Sequence, residues 1–398
     1  MKKTIISLAA ASLVASSAMA ADKGIEFTTT GQAVVYYQTA AMGDNQDLFS
    51  QEQSVANVGI QLNNNADLGN GFAFGSQLSY LGTAGLEKQL VHATMQTAGA
   101  LYNTTDEIAL TKIYVAKKVA NTTVKIGRQE LPKSLSPLAF TEGYNVFKNT
   151  YEAVVVINTD IPNTTLVGAS VGKSTGADLG QLEDLKVNGA YAINGAYMLT
   201  AVNTALPMTT LTGSFYALTG IDTVESANAL WVDAKIADKS LPMGMKIGLQ
   251  GGTIMPENSA LVDTTAFGVK VGAKPMPNLT VCGAFTMVDD GTAAIVNTGT
   301  NVKTPLYTQM VANQGAIKSD NSTMMLKGAY ALGDMGTVIA QSTLTTDNSD
   351  AANDNTELDL IYTTKLAGAT VLAAYVYTKN ENDADANNIV RVWARYAF

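Results

Sequence analysis

The feature that most limits the fold of this chain is a two-residue alternation of apolar and small or polar side chains. It recurs in separate segments, among them residues 72–80, 245–250 and 266–273. A tilted strand needs about 9–11 residues to cross the apolar layer of a membrane, and most of these segments have roughly that length. The alternation predicts antiparallel strands with one apolar face and one face of small or polar side chains.

A soluble β-sandwich shows the same alternation, so the connections between the segments decide between the two folds. Short connections rich in Gly, Pro, Asn and Asp alternate with longer polar stretches. Short periplasmic turns on one rim and long extracellular loops on the other are typical of bacterial outer-membrane barrels. The sequence therefore predicts an all-β fold, a transmembrane antiparallel β-barrel. The short connections are residues 67–71, 120–122, 160–163, 204–207, 238–244, 274–278, 333–336 and 366–369. The longer stretches lie near residues 41–52, 82–106, 130–150, 173–187, 219–226, 254–263, 289–322, 345–356 and 379–387.

The number of short turns predicts the number of strands. Two strands flank each of the eight turns, and one more strand at each end of the chain gives 18. Bacterial barrels have even strand numbers, which agrees with this count. Sixteen strands is the alternative, if one weak hairpin lies inside a loop. Asn194-Gly195 is a hairpin signal that would make the number odd, so we interpret it as a bulge or a strand extension.

The amino-terminal residues predict export from the cytoplasm. Lys2 and Lys3 precede a short apolar run, residues 5–14, and the small residues 18–20 follow it. This order is that of a secretory signal peptide, and the apolar run is too short for a membrane anchor, which needs about 18 residues or more. We predict a signal peptide over residues 1–20, cleaved after Ala20, and a single barrel domain over residues 21–398.

The carboxyl-terminal residues predict the closing strand. Val390, Val392, Ala394, Tyr396 and Phe398 share one apolar face, and Phe398 ends the chain. A last strand with an aromatic at the end and another at the third position from it resembles the signal read by the barrel assembly machinery. We predict that Tyr396 and Phe398 form this signal. An edge strand of a soluble protein is the alternative.

The counts of histidine and cysteine exclude most catalytic and metal sites. His92 and Cys282 are single, so the chain has no internal disulfide and no usual zinc ligand set. No basic patch predicts nucleic-acid binding. We therefore predict a protein that is not an enzyme and has no cofactor. The acidic stretches 289–291, 347–355 and 380–387 leave Ca²⁺ as an alternative, although their spacing fits no EF-hand and solvated loops account for them equally.

Several short motifs resemble known outer-membrane porins. Residues 125–132, KIGRQELP, resemble the porin strand that leads into an inward-folded third loop. Residues 140–144, FTEGY, and 149–152, NTYE, resemble the loop and return strand of OprD-like substrate-specific porins, and are also similar to Campylobacter-type major outer-membrane porins. The turn at residues 67–72, DLGNGF, matches one common in general porins.

This resemblance implies a Gram-negative outer-membrane porin, a water-filled channel for passive diffusion of ions and small hydrophilic solutes. It implies an 18-stranded barrel with its third loop folded into the lumen. Its partners would be outer-membrane lipids, the assembly machinery and the solutes. Campylobacter-type porins are trimers and OprD-like porins are often monomers, so a monomer and a homotrimer both stay open. The alternative function is that of an adhesin or structural surface protein.

The charged residues of the strands predict the lining of the channel. Rings of charged side chains that face the lumen set the selectivity of a pore, and charges facing lipid are costly. Residues 130–150 are the candidate constriction loop, with Arg128 at the end of the strand before it. The basic residues assigned to the lumen are Lys112, Lys125, Lys235, Lys246, Lys270, Lys327, Arg391 and Arg395, opposed by Glu152 and Asp233. The loop adds Glu130, Lys133, Glu142 and Lys148. From this excess of basic residues we predict weak ion selectivity that shifts toward anions as salt rises.

Overall fold

A computed structural model describes residues 25–43, 47–96, 106–143, 145–176, 178–187, 191–220 and 226–398. The predicted signal peptide at residues 1–20 lies outside the described residues, as do Tyr144 and parts of the loops at 82–106 and 219–226. In the described part of the chain, strands form one antiparallel sheet that closes on itself, because the last strand pairs with the first. No helix among the described residues is long and apolar enough to cross a membrane. The predicted all-β antiparallel barrel is confirmed.

The strands follow one another around the barrel in chain order. They are β1 (Phe27–Met42), β2 (Ser54–Gly69), β3 (Phe72–Gly82), β4 (Glu107–Val119), β5 (Thr122–Gln129), β6 (Tyr151–Asn158), β7 (Thr164–Ser174), β8 (Glu183–Val187), β9 (Tyr191–Asn203), β10 (Thr209–Gly220), β11 (Ala227–Ala237), β12 (Lys246–Pro256), β13 (Thr264–Met276), β14 (Leu279–Val288), β15 (Asn321–Ala331), β16 (Thr337–Asp347), β17 (Asn355–Leu366), β18 (Ala369–Asn380) and β19 (Asn387–Ala397).

The alternation in the sequence matches the two faces of the wall. In β13, Phe267 and Val271 are exposed on the outside, whereas Ala266 and Gly268, on either side of Phe267, are buried on the inside. In β15, Met324 and Leu326 are exposed outside and Met325 is buried inside. Because successive side chains of a strand point to opposite faces, the strands together form an apolar exterior.

The number of strands differs from the prediction. Among the described residues there are 19, so both the count of 18 and the alternative of 16 are wrong. The additional strand is β8, a segment of five residues inside a loop. It pairs with the end of β7 through Glu183 and Asp184, and with β9 through Leu185, Lys186 and Val187. Below this point β7 pairs directly with β9, so β8 widens the sheet only near the loop rim.

The Asn194-Gly195 pair is part of strand β9. Thr219 of β10 pairs with Gly195, and the next residue, Gly220, pairs with Ile193, so Asn194 is an extra residue in the ladder. This is a β-bulge. It is one of the two interpretations of Asn194-Gly195 made from the sequence, the other being an extension of the strand.

The barrel closes where Phe398 meets Gly31 of β1. The two residues exchange both backbone hydrogen bonds, with N···O distances of 2.7 and 3.0 Å. The Phe398 ring lies on the outer face directly over Gly31, where a Cβ atom would collide with it. Tyr396 and Phe398 are about half exposed on this outer face. Gly31 therefore allows the terminal ring to lie flat against the wall.

Two long loops lie inside the barrel and form a second layer against the wall. We call residues 130–150 the third loop and residues 289–320 the seventh loop. Leu138 and Phe147 of the third loop and Ile295 and Leu306 of the seventh are buried. Leu138, Ile295 and Leu306 belong to a core cluster with inward side chains of the wall, including those of Trp231, Tyr216 and Val155.

Candidate functional site

Asn297 of the seventh loop joins the two inward loops. Its side chain is fully buried. The Nδ2 group donates to the carbonyl oxygen of Phe140 at 2.7 Å and to Oε2 of Glu142 at 3.1 Å, while Oδ1 accepts from the Phe140 N–H at 3.1 Å. The hydroxyl of Tyr151, on the inner face of β6, donates to the same Oδ1 at 2.7 Å. One amide thus connects both loops and the wall.

The wall holds each loop at further points. Leu138 N–H of the third loop donates to the hydroxyl of Tyr216 at 3.1 Å, and Arg395 Nη2 donates to the carbonyl of Asn145 at 3.1 Å. In the seventh loop, Val311 and Ala312 donate their N–H groups to Oε1 of Glu357 at 3.0 and 2.8 Å. These contacts reach different parts of the wall, so the loops narrow the lumen from several sides.

A first charged group lies on the inner face of β4 and β5. Lys112 forms an ion pair with Glu130, and Lys148 reaches the other oxygen of Glu130 at 3.4 Å. Lys125 lies 3.6 Å from the ring centroid of Tyr114. Burial alone would raise the pKa of Glu130, but the ammonium groups of Lys112 and Lys148 outweigh it and hold this pKa below its usual value. Glu130 is therefore ionised and shared between two lysines.

A second charged group surrounds Tyr307 of the seventh loop. The hydroxyl of Tyr307 donates to Asp233 at 2.6 Å, and Lys235 lies 3.3 Å from the same carboxylate. The Nζ of Lys270 lies 5.7 Å from the centroid of the Tyr307 ring. These residues, Lys133 and Trp231 line a cavity of about 400 Å³. Burial lowers the pKa of Lys133 to about 8. Three lysines and one carboxylate line this cavity, so the lysines outnumber the negative charge.

The basic surface continues along the neighbouring strands. A second cavity, of about 420 Å³, is lined by Lys235, Lys246, Lys270 and Lys327 and again by Tyr307. The four lysines lie on the inner faces of β11, β12, β13 and β15. We call these lysines, together with Lys133, the lysine arc. Such an arc, facing a water-filled space between low-dielectric walls, attracts anions.

An acidic group lies on β17, where the sequence analysis assigned no site. Glu357 and Asp359 are buried on the inner face, and Gln341 donates to Asp359 at 2.6 Å. Lys303 of the seventh loop interacts electrostatically with Glu142, Glu357 and Asp359, and burial lowers its pKa to about 8. Burial raises the pKa of Glu142. Alternation with the exposed Leu358 and Leu360 was the signal that could have placed both carboxylates inside.

The arginines of β19 lie on its inner face. Arg391 Nε donates to Oε1 of Gln38 at 3.0 Å, and its guanidinium lies 5.8 Å from the ring centroid of Tyr36. The guanidinium of Arg395 lies 4.8 Å from the ring centroid of Trp393. Both arginines therefore face the lumen, Arg391 beside the buried ring of Tyr36 and Arg395 beside the partly buried ring of Trp393.

Two predicted lumen residues lie on the opposite face of the wall. Tyr151 contacts the third loop and is therefore inside, so Glu152, the next residue, lies outside with the exposed Val154 and Val156. Arg128 is the register partner of Glu152 and forms an ion pair with it at 2.9 Å. The assignment of Arg128 and Glu152 to the channel is wrong. The run from Ala153 to Ile157 is apolar on both faces. Alternation therefore could not predict which residues of this strand point inward.

The other residues predicted to line the channel lie on the inner face of the wall or in the third loop. They are Lys112, Lys125, Glu130, Lys133, Glu142, Asp233, Lys246, Lys270, Arg391 and Arg395, with Lys148, Lys235 and Lys327 beside them. Among the described residues no group of three or more His, Cys, Asp or Glu side chains could hold a metal ion. In the acidic loops, Asp289 and Asp347 instead accept hydrogen bonds from neighbouring backbone N–H groups.

Comparison with known proteins shows a shared fold. No protein-family model matches the sequence, and neither does any curated protein. The structure is similar to Acinetobacter baumannii OccAB4, with a TM-score of 0.78 and 13% identity. It is also similar to Pseudomonas aeruginosa OccK8 (OprE), with a TM-score of 0.76 and 13% identity, and to P. aeruginosa OpdK with vanillate, with 0.77 and 11%. Each alignment covers 94% of this chain and 98% of the other.

Proposed function

We propose that this protein is an outer-membrane porin, a water-filled channel through which ions and small hydrophilic solutes diffuse passively. The observation that carries the proposal is a closed barrel, apolar outside, whose charged lumen is narrowed by two loops held together at Asn297. The proteins with the same fold are Occ/OprD outer-membrane channels. The selectivity of a channel is set by the width of its bore and by the charges at its narrowest point.

The preferred solutes in this proposal are small anions, carboxylates above all. The lysine arc supplies positive charge, and Trp231 and Tyr307 place aromatic surface beside it. OpdK, which has the same fold, was crystallised with vanillate, an aromatic carboxylate. In the cavity around Tyr307, the lysines would bind the carboxylate of an aromatic acid, and the rings of Tyr307 and Trp231 would contact its ring. The remaining carboxylates, Glu357 and Asp359, favour solutes that also carry a positive group.

The proposal includes the route to the membrane and the partners there. Residues 1–20 would direct export and be removed after Ala20, and Tyr396 and Phe398 on the closing strand would be read by the assembly machinery. The short turns would then face the periplasm and the long loops the exterior. Outer-membrane lipids would cover most of the apolar exterior, and a homotrimer is the assembly we propose from the likeness to Campylobacter-type porins.

Conductance in planar lipid bilayers tests the channel against the alternative of an adhesin or structural surface protein. The full-length mature protein should give stable ohmic steps whose reversal potential in a KCl gradient favours anions at high salt. Adding an aromatic carboxylate to one side should block these steps in a voltage-dependent way. A folded protein that stays silent in the bilayer would refute the porin and favour the adhesin. Steps unaffected by carboxylates would refute only the proposed solute class.

A further inference from the structure

Tyr307 of the seventh loop lies between the two cavities of the basic surface. Both cavities are lined by Tyr307, Lys235 and Lys270. The first cavity also includes Asp233, which lies further from the short turn that follows β11, and we call it the loop-side cavity. The second includes Lys246 at the start of β12, directly after that turn, and we call it the turn-side cavity. A solute that moves along this wall from one cavity to the other therefore passes the Tyr307 side chain.

The backbone on both sides of Tyr307 is held against the wall. Leu306 is buried in the core cluster that includes Trp231. Thr308 is fully buried, and its hydroxyl forms a hydrogen bond with that of Thr286 on β14 at 2.6 Å. Tyr307 itself is only partly buried. Because its neighbours are fixed, a movement of Tyr307 would be a rotation of its side chain and not of the whole loop.

Two contacts hold the Tyr307 side chain between the cavities. Its hydroxyl donates to Oδ2 of Asp233 at 2.6 Å, a hydrogen bond to a charged acceptor. Its ring lies over Gly248 of β12, where an added Cβ atom would be only 2.7 Å from the hydroxyl oxygen and 2.8 Å from the ring carbon Cζ. Lys235 lies 3.3 Å from the other oxygen of Asp233. Asp233 therefore keeps an ionic partner when the tyrosine hydroxyl leaves it.

A carboxylate in the loop-side cavity would find two kinds of partner there. The ammonium groups of Lys133, Lys235 and Lys270 attract its charge. It also offers the Tyr307 hydroxyl a charged acceptor, as Asp233 does, and such hydrogen bonds are roughly twice as strong as those to a neutral acceptor. We propose that Tyr307 is a side-chain gate between the two cavities, held on Asp233 until a solute carboxylate accepts its hydrogen bond instead. The inference rests on the proposed function, since it concerns the passage of a solute through the lumen.

Two solutes of equal size that differ in charge test the gate. The measurement is the efflux of glucuronate and of its uncharged isostere glucuronamide from liposomes that contain the mature protein. In the wild type, glucuronate should leave faster. Tyr307→Phe keeps the ring but removes the hydroxyl, so glucuronamide efflux should rise about tenfold, the smallest factor expected for a lost hydrogen bond to a charged group, while glucuronate efflux stays nearly constant. Tyr375→Phe, which removes the hydroxyl of an outward tyrosine bonded to Asn388, should change neither.

A second variant displaces the ring without removing the hydroxyl. In Gly248→Ala the new methyl group takes the space of the Tyr307 ring, so the hydroxyl can no longer reach Asp233, and glucuronamide efflux should again rise. Gly272→Ala is the matched control, because Gly272 lines the same turn-side cavity and an added Cβ atom would have its nearest neighbour at 3.6 Å, an ordinary contact. This pair tests the gate even if Tyr307→Phe folds poorly.

The ratio of the two effluxes decides the outcome. A ratio that is the same in the wild type, Tyr307→Phe and Gly248→Ala would mean that the wall lysines alone select the carboxylate, and it would overturn the gate. A wild type that releases both solutes equally fast would also overturn the gate but leave the channel standing. Folded protein that releases neither solute, in the wild type or in any variant, would refute the proposed channel and the gate with it.

Discussion

The amide of Asn297 is the contact whose removal should change the bore most. Asn297→Ala deletes the two hydrogen bonds to the backbone of Phe140, the bond to Glu142 and the bond from Tyr151. Tyr151 keeps its second acceptor, the Phe140 carbonyl at 2.9 Å, whereas the buried Phe140 N–H loses its partner. The wall itself is untouched, because its backbone ladder does not involve this side chain.

The size of the effect follows from the number of buried bonds. A buried hydrogen bond contributes about 1 kcal/mol and an orphaned buried donor costs about 1–3 kcal/mol, so the variant should lose roughly 3–5 kcal/mol. Since 1.4 kcal/mol is about a factor of ten in an equilibrium, the joined state of the loops should become about 100-fold or more less favoured. The barrel should stay folded, and the loss should appear as movement of the third and seventh loops relative to each other.

Single-channel recording in planar bilayers measures this directly. Asn297→Ala should give larger and noisier conductance steps than the wild type, with weaker anion preference. Asn313→Ala is the matched control, because Asn313 is equally buried but its side chain bonds to Met310, Thr308 and Gln309 within the seventh loop and only weakly to Thr343 of the wall. Steps of unchanged size and noise in Asn297→Ala, with the protein folded, would refute the idea that this residue sets the bore. A larger change in the control would point to the interior of the seventh loop instead.

Three further predictions concern charge and assembly. Replacing Lys133, Lys235 and Lys270 together by Gln should shift the reversal potential in a KCl gradient toward cations, whereas a strong cation preference in the wild type that persists at high salt would mean that acidic residues line the narrowest point. Burial lowers the pKa of Lys133 and Lys303 to about 8, so both lose their proton as the pH rises from 7 to 9 and anion preference should fall over that range; a pH-independent reversal potential would contradict this. Deleting Phe398 should reduce the folded, heat-modifiable barrel in the outer membrane, while Leu366→Ala, an exposed apolar residue at the turn rim, should not; equal folded yields would refute the assembly signal.

The wall could be predicted from the sequence because the residues of each strand alternate between the apolar outside and the inside of the barrel. In β13 and β15 every second side chain is apolar, and the structure places those side chains outside. The turns could also be predicted from a few neighbouring residues. Gly69, Asn70 and Gly71, where the chain turns from β2 into β3, all adopt the positive φ that Gly and Asn tolerate. These signals need no knowledge of distant parts of the chain, so the all-β antiparallel barrel could be predicted from them.

The predictions were wrong where the environment of a side chain is set by residues far away in the sequence. The inner face of β6 is apolar because it packs under the inward loops, so its sequence has no alternation and Glu152 was placed on the wrong face. The seventh loop was taken for an ordinary surface loop, since its main partner, Phe140, is 157 residues away from Asn297. Strand β8 was missed because its pairing depends on the end of β7 and on β9 rather than on its own pattern.

The acidic chain and the basic lumen can be reconciled by distance. The whole chain has a formal net charge of −9, yet Lys235, Lys246, Lys270 and Lys327 line two cavities that share Lys235 and Lys270. Charges on exposed loops are screened beyond about 8 Å at physiological salt, whereas charges in a narrow space between low-dielectric walls act on an ion within a few ångströms. Rising salt therefore weakens the outer acidic field before it weakens the inner basic one. The two loops contribute to this separation, because Lys133 of the third loop and Tyr307 of the seventh lie inside the barrel next to the wall lysines and narrow the space there.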